Sequence, residues 1–107
     1  MHILVIEDEE QLCCSIAEGL RLNGYETDTC FDGDEGLELC LTENYDLILL
    51  DLNLPGIDGL EILRQFREIN SFTPVLMTVC HFFCVVQQAS TLQVSISRVS
   101  PVLRGCQ

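Results

Sequence analysis

Three short runs dominated by aliphatic residues, HILVI (2–6), DLILLDL (46–52) and VLMTV (75–79), most constrain what this chain can fold into. They are too continuous for strands with one wet face and read as strands buried on both sides, the pattern of a parallel sheet covered by helices. Helical spacing recurs between them. Leu12, Ile16 and Leu20 fall every fourth position, Leu37, Cys40 and Leu41 mark a second helix over 32–44, and Leu60, Leu63 and Phe66 a third. Residues 25–30 (YETDTC) alternate like a strand near a sheet edge. Strand and helix therefore alternate three times and a fourth strand begins. With connections this short, the economical architecture is an α/β parallel sheet with right-handed crossovers and helices on both faces.

Local punctuation agrees with that order. Asn23-Gly24 supplies a helix stop, Asp58 stands three residues before Glu61 as a capping-box-like start, and Thr73-Pro74 separates the third helix from the fourth strand. Beyond Cys80 the pattern stops. Residues 91–99 alternate loosely through Leu92, Val94 and Ile96, so a strand is expected there. One small domain is expected, with a regular core over 1–79 and an atypical, partly irregular tail over 80–107.

Charge sharpens the division. The net charge is −12, and residues 1–77 hold all 17 acids with three arginines, whereas residues 78–107 hold two arginines and no acid. Such a surface repels phosphate backbones, so no nucleic acid is expected on this chain. No apolar run reaches the length of a membrane span and the first residues are unlike a secretion signal, so a cytoplasmic location away from membranes is expected. Seven cysteines at irregular spacing favour free thiols over a disulfide framework.

Two of the buried strands end in carboxylates, the first at Glu7-Asp8 and the third at Asp51. In an open parallel sheet, ligands bind outside the carboxyl ends of the strands near the switch in strand order. If these strands are neighbours, three acids converge, an arrangement that is unfavourable until a cation joins them. Mg²⁺ suits such oxygen donors, and a carboxylate beside it is a candidate phosphoryl acceptor. The LVIEDEE start, LILLDLNLPGIDG and TPVL together resemble the receiver domain of two-component response regulators, over residues 1–77. The resemblance implies a flavodoxin-like, doubly wound (βα)₅ fold and a sensor histidine kinase as phosphoryl donor. It further implies Asp51 as phosphoacceptor, and Glu7, Asp8, Asp51 and the Asn53 carbonyl as the Mg²⁺ set.

The likeness has departures. The family places a switch hydroxyl five residues after the strand-4 proline, whereas Thr78 comes four after Pro74, and a one-residue slip reverses the face of a strand side chain. The family lysine has no counterpart, because all five basic residues besides the histidines are arginines. Helix 4, strand 5 and helix 5 are not recognisable, so the (βα)₅ pattern is expected to be incomplete after the fourth strand, as a frameshift near Met77 would leave it. Impaired switch output follows as an expectation. Apolar surface left uncovered, including Phe82-Phe83 and Val85-Val86, favours self-association.

Two other functions compete: an inactive, binding-only receiver fragment, and an aspartate-nucleophile phosphohydrolase, for which the DLN motif at Asp51 lacks the usual second aspartate. No DNA-binding segment follows, so this chain is expected to be a signalling module rather than an enzyme or a complete transcription factor. The acids of residues 32–43 superficially suit calcium, but Leu37 occupies the position that needs glycine. Cys80, His81, Cys84 and Cys106 match no zinc-finger spacing.

Overall fold

The computed structural model describes residues 1–79, 82–86 and 95–98. In chain order the elements are β1 (His2–Ile6), α1 (Glu10–Leu22), β2 (Glu26–Cys30), α2 (Gly33–Thr42), β3 (Leu47–Asp51), α3 (Gly59–Ile69), β4 (Val75–Val79), β5 (Phe82–Val86) and β6 (Ser95–Arg98). They form one sheet in the order β2-β1-β3-β4-β5-β6. The first four strands are parallel. This is the expected doubly wound, flavodoxin-like half, with its switch of direction between β1 and β3.

The last two strands differ. β5 runs antiparallel to β4, and β6 antiparallel to β5. Only two residues separate β4 from β5, enough for a reversal but far too few for the crossover a parallel neighbour needs. The parallel pattern thus ends after the fourth strand, as expected. Part of the strand expected over 91–99 is present as β6. The Cys80, His81 and Cys106 ligands considered for zinc lie outside the described residues.

The core has two layers because the parallel strands are wet on neither face. Leu4, Ile6, Ile48, Leu50, Val75 and Met77 pack with Leu37, Cys40, Ile62, Leu63 and Phe66 from α2 and α3. The alternate residues Ile3, Val5 and Leu49 face Cys13 and Ile16 of α1. Three leucines expected to face inward are instead exposed, Leu12 (38%), Leu41 (45%) and Leu60 (49%). The inward stripe of α1 is Cys13, Ile16 and Ala17. A helix turns 3.6 residues at a time, and the small Cys13 and Ala17 fill close contacts that a leucine would overfill. Burial pushes the Cys13 thiol up to about 11 and the Cys40 thiol up to about 12, so both act as small apolar groups.

Helix starts follow the sequence signals. The Asp58 carboxylate accepts the Glu61 N–H at 2.9 Å, and Asp32 accepts the Glu35 N–H at 2.8 Å. Asn23 caps the end of α1 and is followed by Gly24 at φ +88°, the left-handed conformation glycine adopts without strain.

Candidate functional site: an acidic cluster at the carboxyl ends of β1 and β3

Register brings the acids together. Ile6 pairs with Leu50, so the next residues, Glu7 and Asp51, stand side by side just past the pairing. The Glu7 N–H extends the ladder to the Cys30 carbonyl at 3.0 Å. Asp8 follows at the start of the β1–α1 connection. One carboxylate oxygen from each of Glu7, Asp8 and Asp51 lies within 4.8 Å of the others. Glu7 is buried, Asp51 half-buried and Asp8 exposed, so the cluster opens to solvent on one side.

The electrostatics of this grouping are unfavourable on their own. Burial, together with the adjacent Asp51 charge, pushes Glu7 from 4.5 up to about 8. Burial also raises Asp51, against a backbone bond from Asn53 that lowers it. The Asn53 N–H donates to Asp51 Oδ1 at 3.2 Å, which curls the chain after β3 back toward the carboxylate. Glu7 Oε1 accepts the Glu9 N–H at 3.3 Å. Among the described residues, no arginine or histidine pairs with any of the three carboxylates. Hard oxygen donors, excess negative charge and an open side are the donor chemistry that a small divalent cation such as Mg²⁺ accepts. The residues fit that ion.

Thr78 enters through β4. Asp51 is its register partner, and partners in neighbouring parallel strands project to one face. The pairing places Thr78 alongside Asp51. The Leu52 N–H donates to the Thr78 carbonyl at 3.3 Å, continuing the ladder beyond Asp51.

One contribution was not apparent from the sequence. The loop between β3 and α3, residues 52–58, is held from α2, where the Gly33 N–H donates to the Pro55 carbonyl at 3.2 Å. The signal available was the DGDEG run at residues 32–36, which opens the second helix and was otherwise weighed only against a calcium loop.

Fold and site together define a receiver-type domain. The family model described as response regulator receiver domain matches residues 3–93, and the chain belongs to that family. It is 46% identical over 76 residues to the transcriptional regulatory protein DltR of Streptococcus agalactiae, covering 71% of this chain and 34% of that protein. It is 49% identical over 75 residues to the response regulator ArlR of Staphylococcus saprophyticus, covering 70% and 34%. The chain thus spans about a third of the length of these relatives. Among solved structures, the Francisella response regulator 1452 receiver domain superposes with a TM-score of 0.68 at 37% identity, over 71% of this chain and 63% of that one. TrrA of Thermotoga maritima, solved in complex with Mg²⁺-BeF, gives 0.68 at 36% identity, over 75% and 71%. Receiver domains of this family receive phosphoryl from histidine kinases and bind Mg²⁺ at an acidic site. No helix among the described residues is long and apolar enough to cross a membrane.

Proposed function

We propose that this chain accepts a phosphoryl group on Asp51 from a sensor histidine kinase, with Mg²⁺ held by Glu7, Asp8, Asp51 and the Asn53 carbonyl. The convergence of three carboxylates from two adjacent strand ends, with no basic partner among the described residues, carries the reading. An Asp51 carboxylate oxygen forms a bond to phosphorus as the phosphorus–nitrogen bond of the donor phosphohistidine breaks. The electron pair returns to the imidazole nitrogen. Bound Mg²⁺ supplies charge compensation for the carboxylates and the phosphoryl oxygens. Glu7 and Asp8 hold the ion, and the Asn53 N–H orients Asp51 through Oδ1.

Thr78, aligned with Asp51, is the hydroxyl available to a phosphoryl oxygen. These 107 residues hold no lysine to complete the family's switch, so uptake is expected with an impaired switch response.

The test is incubation with acetyl phosphate and Mg²⁺, followed by intact mass. A single acid-stable, base-labile phosphoryl addition is expected, lost in Asp51→Asn and in Mg²⁺-free buffer. No addition, or an equal addition in Asp51→Asn, overturns the assignment. Steady phosphate release over many turnovers would mark a hydrolase instead.

A further inference from the structure

The β3–α3 loop is braced from outside the acidic cluster, by the first turn of α2. Gly33 is buried and its N–H is bonded to the Pro55 carbonyl at 3.2 Å. Its Cα lies so close to the next peptide that a β-carbon would overlap the Ile57 carbonyl oxygen and come within 3.0 Å of the carbonyl carbon. Between those two contacts sits Gly56, at φ +79°, beneath the Asp34 carboxylate of the same α2 turn. At the loop's far end, Gly59 donates to the Leu52 carbonyl at 3.1 Å and packs against the Asp51 carbonyl with no room for a side chain. The loop is therefore pinned by backbone contact at both ends. Asn53, whose N–H orients Asp51, lies between the pins.

We infer that Gly33 is a positioning residue for the cation site: the bare α-carbon of α2 sets the path of residues 53–57 and, through it, the Asn53 carbonyl and the Asp51 carboxylate. The inference rests on the Mg²⁺ site proposed above. Backbone pressing on backbone has no rotamer by which to yield, so any β-carbon at position 33 must move the loop or the helix. Gly36, one turn along α2, provides the contrast. A β-carbon there meets the Ile6 side chain, whose nearest atom, the terminal Cδ1, is 2.8 Å away and can turn aside. Substitution at Gly36 disturbs the core between α2 and β1 without touching the loop.

Calorimetric titration of MgCl₂ into the wild type, Gly33→Ala and Gly36→Ala, with thermal melts of each in chelator, tests the inference. Gly33→Ala is expected to weaken Mg²⁺ binding by about 10- to 100-fold, the usual effect of losing a group that orients metal ligands. Gly36→Ala is expected to lower the melting temperature and leave Mg²⁺ affinity unchanged. Equal Mg²⁺ affinity in wild type and folded Gly33→Ala overturns the positioning role. Should Gly33→Ala not fold, amide hydrogen exchange in the wild type decides: saturating Mg²⁺ is expected to slow exchange at Gly33 but not at Gly24. Unchanged exchange at Gly33 overturns the inference. A wild type that binds no Mg²⁺ removes the cation site itself and this inference with it, whereas wild-type binding unaffected at position 33 removes only the positioning role.

Discussion

Carboxylates gather in two places on this sheet, and their surroundings are opposite. Around the amino end of β1, each acid has donors. Asp28 Oδ2 accepts the Tyr45 hydroxyl at 2.9 Å and lies 2.9 Å from His2 Nε2, while Asp46 Oδ2 accepts the His2 backbone N–H at 2.7 Å. The His2 and Tyr45 rings stack at a tilt, 4.6 Å between centroids. At the carboxyl ends of β1 and β3, Glu7, Asp8 and Asp51 face one another instead, and burial raises both Glu7 and Asp51. The first group ties strands together. The second opposes folding electrostatically, and a chain tolerates such crowding where the site serves chemistry. Clustered acids thus have different meanings according to what donates to them.

The largest expected difference between the two groups is in pH dependence. In Mg²⁺-free buffer Glu7 has a folded-state pKa of about 8 against 4.5 for the ordinary group. Between those values the folded state holds a proton that the unfolded state has released, so stability falls as pH rises through that window. Glu7→Gln keeps the Oε1 acceptor for the Glu9 N–H and removes the titration. Denaturant melts between pH 5 and pH 8 should therefore slope downward for the wild type and flatten in Glu7→Gln. An unchanged slope would break the contrast at its buried end.

A smaller effect comes from truncating one acid in each group. Asp51→Ala in chelator is expected to raise stability, because it relieves Glu7 of its nearest like charge. Asp28→Ala is expected to lower stability by about 1 kcal/mol, since it leaves the Tyr45 hydroxyl without its acceptor. Opposite signs in equilibrium unfolding would sustain the comparison, and equal signs would defeat it. Mg²⁺ should reverse the first sign, because the site then loses a ligand rather than a repulsion.

Much of the acidic end was legible because it depends on strands. HILVI and VLMTV coincide with β1 and β4, and carboxylates ending two continuous apolar runs needed only the 2-1-3 strand order to meet. What escaped depended on partners distant in sequence. The register that sets Thr78 beside Asp51 comes from pairing between β3 and β4. Gly33 touches residues more than twenty positions away, and no local pattern distinguishes a glycine needed for close approach from one that opens a helix. The helix stripes were blurred for a different reason. Cys13 and Ala17 face the core with little hydropathy of their own, so the more apolar Leu12 attracted the inward assignment. The antiparallel pairing of β5 with β4 lay beyond residues 1–77, where the recognisable motifs end.

The smallest test concerns a single hydroxyl. Tyr45 is 7% exposed and precedes β3, with its ring in the α2–α3 layer of the core and its O–H directed to Asp28 on β2. Burial and the Asp28 acceptor both push its phenol up, which keeps it a neutral donor throughout the range in which the acidic cluster titrates. Tyr45→Phe retains the ring and its contact with His2 but removes the donor, while solvent can still reach Asp28, which is 45% exposed. The expected cost is therefore at the low end for a lost hydrogen bond, about 0.5–1 kcal/mol in equilibrium unfolding. Asp51 and its neighbours are served by other elements, so Mg²⁺ affinity and phosphoryl uptake should not change in this variant. A loss of Mg²⁺ affinity in Tyr45→Phe would mean that the two carboxylate groups are coupled through the sheet, and that the satisfied acids help to set the geometry of the crowded ones.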